Sequence, residues 1–86
     1  MTKKQFDGIV DCLVNVCTFN TSKHFSLSLN QCEGPNFFYG EIIVFTNYYK
    51  GLFSTVEIEQ LLGLAKAWNV TLYFETLHGV TVARYL

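Results

Sequence analysis

Two Ser/Thr-x-x-Glu/Gln patterns, Thr2 to Gln5 and Ser54 to Glu57, constrain this chain more than any other local feature. In such a capping box the hydroxyl accepts a hydrogen bond from an amide of the first helical turn. The Glu or Gln side chain accepts one from the amide of the capping residue. Each box therefore predicts the start of a helix, and each helix is followed by two stretches with strand character.

Apolar residues after the first box recur at helical spacing, and Lys3 and Asp7 form an i, i+4 pair of opposite charge. The spacing predicts a helix over about residues 3 to 18. Residues 10 to 19 are rich in β-branched side chains and allow a strand as the alternative, and Gly8 costs about 1 kcal/mol inside a helix. The apolar positions of the helix are Phe6, Ile9, Val10, Leu13 and Cys17.

The second helix has an apolar stripe, acidic residues in its first turn and Lys66 in its last turn, both favourable to the helix dipole. Asn69 tolerates a left-handed backbone and predicts the end of the helix. The stripe consists of Ile58, Leu61, Leu62, Ala65 and Trp68.

Four strands are predicted. From Phe25, apolar and polar residues alternate as in a half-buried strand, residues 30 to 36 form a loop, and residues 37 to 48 form a second strand. Residues 70 to 76 and 80 to 86 form the last two strands, joined around Leu77, His78 and Gly79.

The order αββαββ predicts one α+β domain over residues 1 to 86. Moving the last strand to the front converts this order into βαββαβ, so the expected topology is a ferredoxin-like sandwich with permuted ends. Both helices would pack on one face of a four-stranded antiparallel sheet, leaving the other face without cover from this chain.

Because successive side chains of a strand point to opposite faces of the sheet, the sequence predicts which strand residues point away from the helices. In this interpretation Val80 and Val82 point to the helices, whereas Ala83 and Tyr85 point away. Aromatic residues on a bare sheet face, together with tyrosines in the loop before the second helix, favour an interaction surface. The predicted partner-binding residues are Tyr39, Ile43, Phe45, Tyr48, Tyr49, Tyr73, Glu75 and Tyr85.

Charge and cysteine content exclude several classes. Six basic and seven acidic residues give a net charge of -1, and the basic residues are scattered, so the sequence argues against nucleic acid as the main ligand. Three cysteines without a Cys-x-x-Cys pair suggest neither a disulfide scaffold nor a zinc site. Without a signal peptide or an apolar run of spanning length, the sequence predicts a cytoplasmic protein that does not enter a membrane.

Catalytic candidates are few. The thiol and imidazole groups show no local pattern typical of a nucleophile or a metal ligand, and the carboxylate pairs Asp7 with Asp11 and Glu57 with Glu59 are better explained as solvated or capping residues. No catalytic residue, cofactor or metal site is predicted. The thiol and imidazole residues are Cys12, Cys17, Cys32, His24 and His78.

The expected function is a non-enzymatic protein-binding module that acts by occlusion, through a protein partner or as a homodimer formed on the bare sheet face. One concrete form is an inhibitor from a phage or mobile element, directed at a host or defence complex as anti-CRISPR proteins are. The alternatives are a nucleic-acid-binding domain, whose aromatic sheet face would be similar to the platform of RNA-recognition folds, and a small-ligand or enzymatic domain.

Overall fold

The computed structural model describes residues 1–15, 25–46 and 52–86, which contain two α-helices and one four-stranded antiparallel sheet. The protein is therefore an α+β protein, as predicted. Within the described ranges, neither helix has the length and apolar character needed to cross a membrane. The elements are α1 (Lys3–Asn15), β1 (Phe25–Glu33), β2 (Phe38–Thr46), α2 (Thr55–Trp68), β3 (Leu72–Leu77) and β4 (Val80–Tyr85).

Both predicted capping boxes are present. The Gln5 amide donates to Thr2 Oγ1 at 3.1 Å, and the Thr2 amide donates to Gln5 Oε1 at 2.7 Å. At α2 the Glu57 amide donates to Ser54 Oγ at 3.2 Å, and the Ser54 amide donates to Glu57 Oε1 at 2.8 Å. These bonds satisfy amides that would otherwise lack partners at the helix starts, so local sequence alone sets where both helices begin.

The helix prediction for α1 is confirmed through Asn15, and the predicted i, i+4 ion pair joins Lys3 Nζ and Asp7 Oδ2 at 3.1 Å. The rest of the predicted helix, including Cys17, lies outside the described residues. At the other predicted helix end, Asn69 adopts φ 55° and ψ 49°, the left-handed conformation that closes α2.

The strand order is β1-β2-β4-β3, so β2 and β4 are central and β1 and β3 are the edges. The predicted loop over residues 30 to 36 begins too early, because β1 continues to Glu33 through backbone pairs such as Asn30 with Glu41. Polar side chains suit this edge strand, and the turn occupies only residues 34 to 37. Strand β2 begins at Phe38 rather than residue 37, and the part predicted beyond residue 46 lies outside the described residues.

The second hairpin turns within two residues. Leu77 pairs directly with Val80, and the residues between them, His78 and Gly79, have φ values of 52° and 80°. Two consecutive positive φ angles are typical of a type I′ turn, which matches the twist of antiparallel strands. The predicted turn is therefore confirmed, although Leu77 belongs to the strand and β3 begins at Leu72 rather than at residue 70.

Among the described residues, one hydrophobic cluster joins the helices to the central strands. We call the sheet face that contributes to it the core face and the opposite one the outer face. On the core face the Phe6 and Phe38 rings meet edge to face, with centroids 5.7 Å apart, over Gly40. The buried residues of the cluster are Phe6, Ile9, Leu13, Ile42, Val44, Leu61, Ala65, Ala83 and Tyr85.

The predicted orientation of β4 is wrong. Val44 and Phe74 both pair with Ala83, and Ile42 pairs with Tyr85, so Ala83 and Tyr85 share the core face. The valines predicted to face the helices, Val80 and Val82, accordingly lie on the outer face. Strand β4 has apolar residues at both even- and odd-numbered positions, so the alternation of apolar and polar residues could not decide which set faces the helices.

Gly8 allows the two helices to approach closely. A Cβ atom at this position would overlap the indole ring of Trp68. Next to this contact, Gln5 Nε2 donates to the Trp68 carbonyl oxygen at 2.8 Å. The helix propensity lost at Gly8 is thus offset by packing between α1 and α2.

Replacing Gly8 with alanine should therefore destabilise the protein although alanine favours helices. We expect the free energy of unfolding in urea to fall by about 1–3 kcal/mol, the usual cost of overpacking. Gly63 is the matched control, since it lies in α2 with no atom within 4 Å of an added Cβ. Gly63→Ala should raise the same free energy by up to about 1 kcal/mol.

A double-mutant cycle assigns the cause. In a Trp68→Leu background the indole is absent, and Gly8→Ala should become neutral or stabilising. Equal destabilisation of the wild type and the Trp68→Leu variant would show that the indole contact is not the reason for glycine at this position.

Candidate interaction surface

The outer face is formed by alternate residues of all four strands, on the side of the sheet opposite the hydrophobic cluster. It combines aromatic, aliphatic and charged side chains. Its members are Ser26, Ser28, Asn30, Cys32, Tyr39, Glu41, Ile43, Phe45, Tyr73, Glu75, Leu77, Val80, Val82 and Arg84.

Two tyrosines are the most exposed aromatic side chains of this face. Tyr39 on β2 is 51% exposed and Tyr73 on β3 is 42% exposed. Of the other predicted partner-binding residues, Ile43 is only 9% exposed, and Phe45 and Glu75 are half-buried. Direct contact with a large partner would therefore begin at the two tyrosines, while Ile43 supports the face from within.

Tyr85 does not belong to this surface. Its side chain is 0% exposed, and its hydroxyl donates a 2.7 Å hydrogen bond to the Leu61 carbonyl oxygen of α2. The ring packs in the hydrophobic cluster on the core face, so the prediction that it contacts a partner from the outer face is wrong. The remaining predicted contact residues, Tyr48 and Tyr49, lie outside the described residues.

Arg84 joins polar residues of all four strands across the outer face. Its Nη1 atom lies 3.2 Å from Glu75 Oε1 on β3, and its Nε atom lies 3.3 Å from Glu41 Oε2 on β2. Asn30 on β1 donates from Nδ2 to Glu41 Oε1 at 3.0 Å. We call these four residues the polar row. Sequence reasoning missed it because, with β4 reversed, Arg84 would point to the other face.

The polar row controls the electrostatics of the outer face. Arg84 is the one basic residue that the described strands place there, and its guanidinium contacts two carboxylates. Ion pairs of this partly buried kind are screened less than exposed pairs such as Lys3 with Asp7. The positive charge is therefore already compensated, and the face is not a cationic surface.

The candidate catalytic side chains are spread over the described structure. Cys12 is half-buried in α1, Cys32 is exposed on β1, and His78 is exposed in the second hairpin turn. Cys17 and His24 lie outside the described residues. Among the residues that are described, no three His, Cys, Asp or Glu side chains come together as a metal site would require.

The carboxylates considered as acid and base also have local partners. Asp7 contacts Lys3, and Asp11 accepts a 2.8 Å hydrogen bond from Asn15 Nδ2. Glu57 completes the capping box of α2. These contacts give each of the three carboxylates a local role within its own helix.

Exposed apolar side chains also occur on α2, where Val56 is 56% and Leu62 is 50% exposed. They are scattered on a helix and lack the combination of tyrosines and charges that the outer face presents. Isolated surface residues of this kind are common in proteins without a binding role. They provide a matched control for exposed apolar area that lies outside the outer face.

Comparison with known proteins yields no relative, since no family model, curated protein or solved structure matches this chain.

The two environments of tyrosine lead to a stability prediction. Tyr85→Phe removes the buried hydrogen bond to Leu61 and should lower the free energy of unfolding by about 1 kcal/mol. Tyr73→Phe, the control on the outer face, should change it by less than about 0.5 kcal/mol. Urea unfolding followed by Trp68 fluorescence measures both, and equal small effects would contradict the assigned role of the Tyr85 hydroxyl.

Proposed function

We propose that this chain is a non-enzymatic protein-binding module that occludes a surface of its partner with the outer face of its sheet. The observation that carries the proposal is the exposure of Tyr39 and Tyr73 beside the charge-compensated polar row. Tyrosine supplies a large, rigid contact area at low cost in conformational entropy, which makes it common in protein interfaces.

The arrangement of charges favours a protein partner over nucleic acid. A nucleic-acid platform needs cations beside its stacking rings to neutralise phosphates. On the outer face, Arg84 is held between Glu41 and Glu75, and the carboxylates outnumber the guanidinium. A phosphate backbone would meet net negative charge here.

Buried and exposed residues of the outer face would have different roles in binding. Ile43 and Val82 are 9% and 1% exposed, so they pack beneath the exposed residues of the outer face and hold them in place. The more exposed Tyr39 and Tyr73 would insert between side chains of the partner. The neighbouring Glu41, Glu75 and Arg84 would select a partner with a complementary charge pattern, since polar groups contribute specificity more than affinity.

The proposed architecture behind this surface is the ferredoxin-like sandwich with permuted ends. It is supported by the strand order β1-β2-β4-β3, which becomes the ferredoxin-like order when β4 is counted as the first strand. In that architecture α1 and α2 cover only the core face. The outer face then serves binding without disturbing the hydrophobic cluster.

An inhibitor of a host or defence complex, carried by a phage or mobile element as anti-CRISPR proteins are, is one concrete form of this function. It is supported by the small size and the mild acidity of the chain. Aromatic contacts fit such an inhibitor better than mimicry of nucleic acid, for which seven carboxylates are few.

The proposal predicts the outcome of a capture experiment with immobilised protein in extract of the native host. Wild type should retain a specific protein, and the Tyr39→Ser, Tyr73→Ser double variant should lose it, with at least a tenfold weaker affinity for the purified partner. Loss of two central aromatic anchors typically costs this much or more. The Val56→Gln, Leu62→Gln variant removes similar exposed area from α2 and should bind like wild type.

Three results would contradict the proposal. If the Tyr39→Ser, Tyr73→Ser variant still retained the partner protein, the outer face would not be the binding surface. The same conclusion would follow if only the Val56→Gln, Leu62→Gln variant lost the partner. Tight binding of single-stranded RNA or DNA that weakens steeply between low and moderate salt would favour the nucleic-acid alternative instead. Circular dichroism and urea unfolding must show that each variant remains folded.

A further inference from the structure

Strand β1 is long and forms one edge of the sheet. It pairs with β2 over nine consecutive residues, Phe25–Glu33, without a bulge. Because the sheet order places β1 at one end, its other side has no strand partner among the described residues. Every second residue of β1 therefore directs its backbone amide and carbonyl groups away from the sheet.

Within the residues of β1 itself, the features that usually prevent strand addition are absent. Lysine, proline, bulges and short length are the common protective devices. Strand β1 contains no lysine or proline, and its one charged residue, Glu33, is at the end. The opposite edge, β3, has six residues and carries Glu75 within it. The two edges of the sheet thus differ, and only β1 is suited to pair with another long strand.

We propose that β1 pairs in antiparallel fashion with β1 of a second copy of this chain, which joins the two sheets into one of eight strands. A two-fold axis perpendicular to the sheet keeps the core faces of both copies on the same side. With the axis at Leu29, the middle residue of β1, all nine residues of each strand are paired. Any other centre leaves residues at the strand ends without partners.

The side chains agree with this register. Leu29 is 44% exposed on the core face at the sheet edge, and it would pack against Leu29 of the second copy. Ser28 would lie opposite Asn30 on the outer face, where hydroxyl and amide groups can form hydrogen bonds. The Glu33 carboxylates of the two copies would lie at opposite ends of the paired strands. No two like charges face each other.

The dimer does not depend on the proposed binding role of the outer face. Pairing uses the backbone of β1 and the side chain of Leu29, whereas partner binding uses Tyr39 and Tyr73. In the dimer the outer faces of both copies continue side by side. Loss of either property alone would therefore leave the other proposal intact.

Cysteine cross-linking tests the register. In a Cys12→Ser, Cys17→Ser background, Cys32 is the one remaining thiol, and the Leu29 axis places it opposite residue 26 of the second copy. Ser26→Cys should therefore give a disulfide-linked dimer under mild oxidation. Residues 26 and 32 of one strand are roughly 20 Å apart, which excludes a bond within the chain. Ser28→Cys is the matched control and should remain largely unlinked.

Sedimentation equilibrium of the unmodified chain provides the second measurement. We expect the mass of a dimer at high concentration, and Leu29→Lys, which opposes two cations on the axis, should shift the mass to that of a monomer. Hydrogen exchange of the wild type should show protection of alternate β1 amides that increases with concentration. This readout does not depend on how Leu29→Lys folds.

A monomer at all concentrations together with an unlinked Ser26→Cys variant would overturn the proposal. Efficient linking of Ser28→Cys without Ser26→Cys would overturn the Leu29 register, because residue 28 faces residue 32 only when the axis lies at residue 30. Protection of β1 amides that appears only when the captured partner protein is added would show that another protein, not a second copy, occupies the edge.

Discussion

The hydrogen bond from the Tyr85 hydroxyl to the Leu61 carbonyl oxygen fixes the orientation on which the rest of the structure depends. Strand β4 is central, so one buried residue decides which side every other residue of the strand faces. With Tyr85 in the core, Arg84 must lie on the outer face. The reverse orientation would bury a guanidinium in the hydrophobic cluster, which costs far more than one tyrosine can offset.

This orientation also defines the proposed binding surface. Arg84 reaches Glu41 and Glu75 from the central strand, and these contacts tie β2, β4 and β3 together on the outer face. The exposed tyrosines lie next to this centre: Tyr73 pairs with Arg84, and Tyr39 is two residues from Glu41 on β2. A surface with aromatic anchors and little net charge is better suited to a protein than to a polyanion.

The features that could be predicted from sequence are those set by local chemistry. Both capping boxes, the left-handed Asn69 and the His78-Gly79 turn depend on residues a few positions apart, and all are present. Capping hydrogen bonds and positive φ angles act within one turn of backbone, so neighbouring residues are sufficient to specify them.

Features that depend on distant partners were not predictable in the same way. Strand β4 has apolar residues at both even- and odd-numbered positions. Its orientation is therefore decided by the hydrogen bond from Tyr85 to a carbonyl oxygen on α2, which is distant in sequence. Gly8 similarly looked unfavourable in a helix until Trp68 supplied the reason for it. The composition of the outer face could thus be inferred only in part, with Tyr39 and Tyr73 placed on the correct face and Tyr85 on the wrong one.

The most direct test of this account is tyrosine labelling of the folded protein, followed by mass spectrometry of each modified position. Tyr39 and Tyr73 should react at rates close to those of an exposed tyrosine, and Tyr85 should react only as fast as the protein unfolds. Reaction of Tyr85 at the rate of Tyr73 under native conditions would contradict the orientation of β4 and, with it, the composition assigned to the outer face.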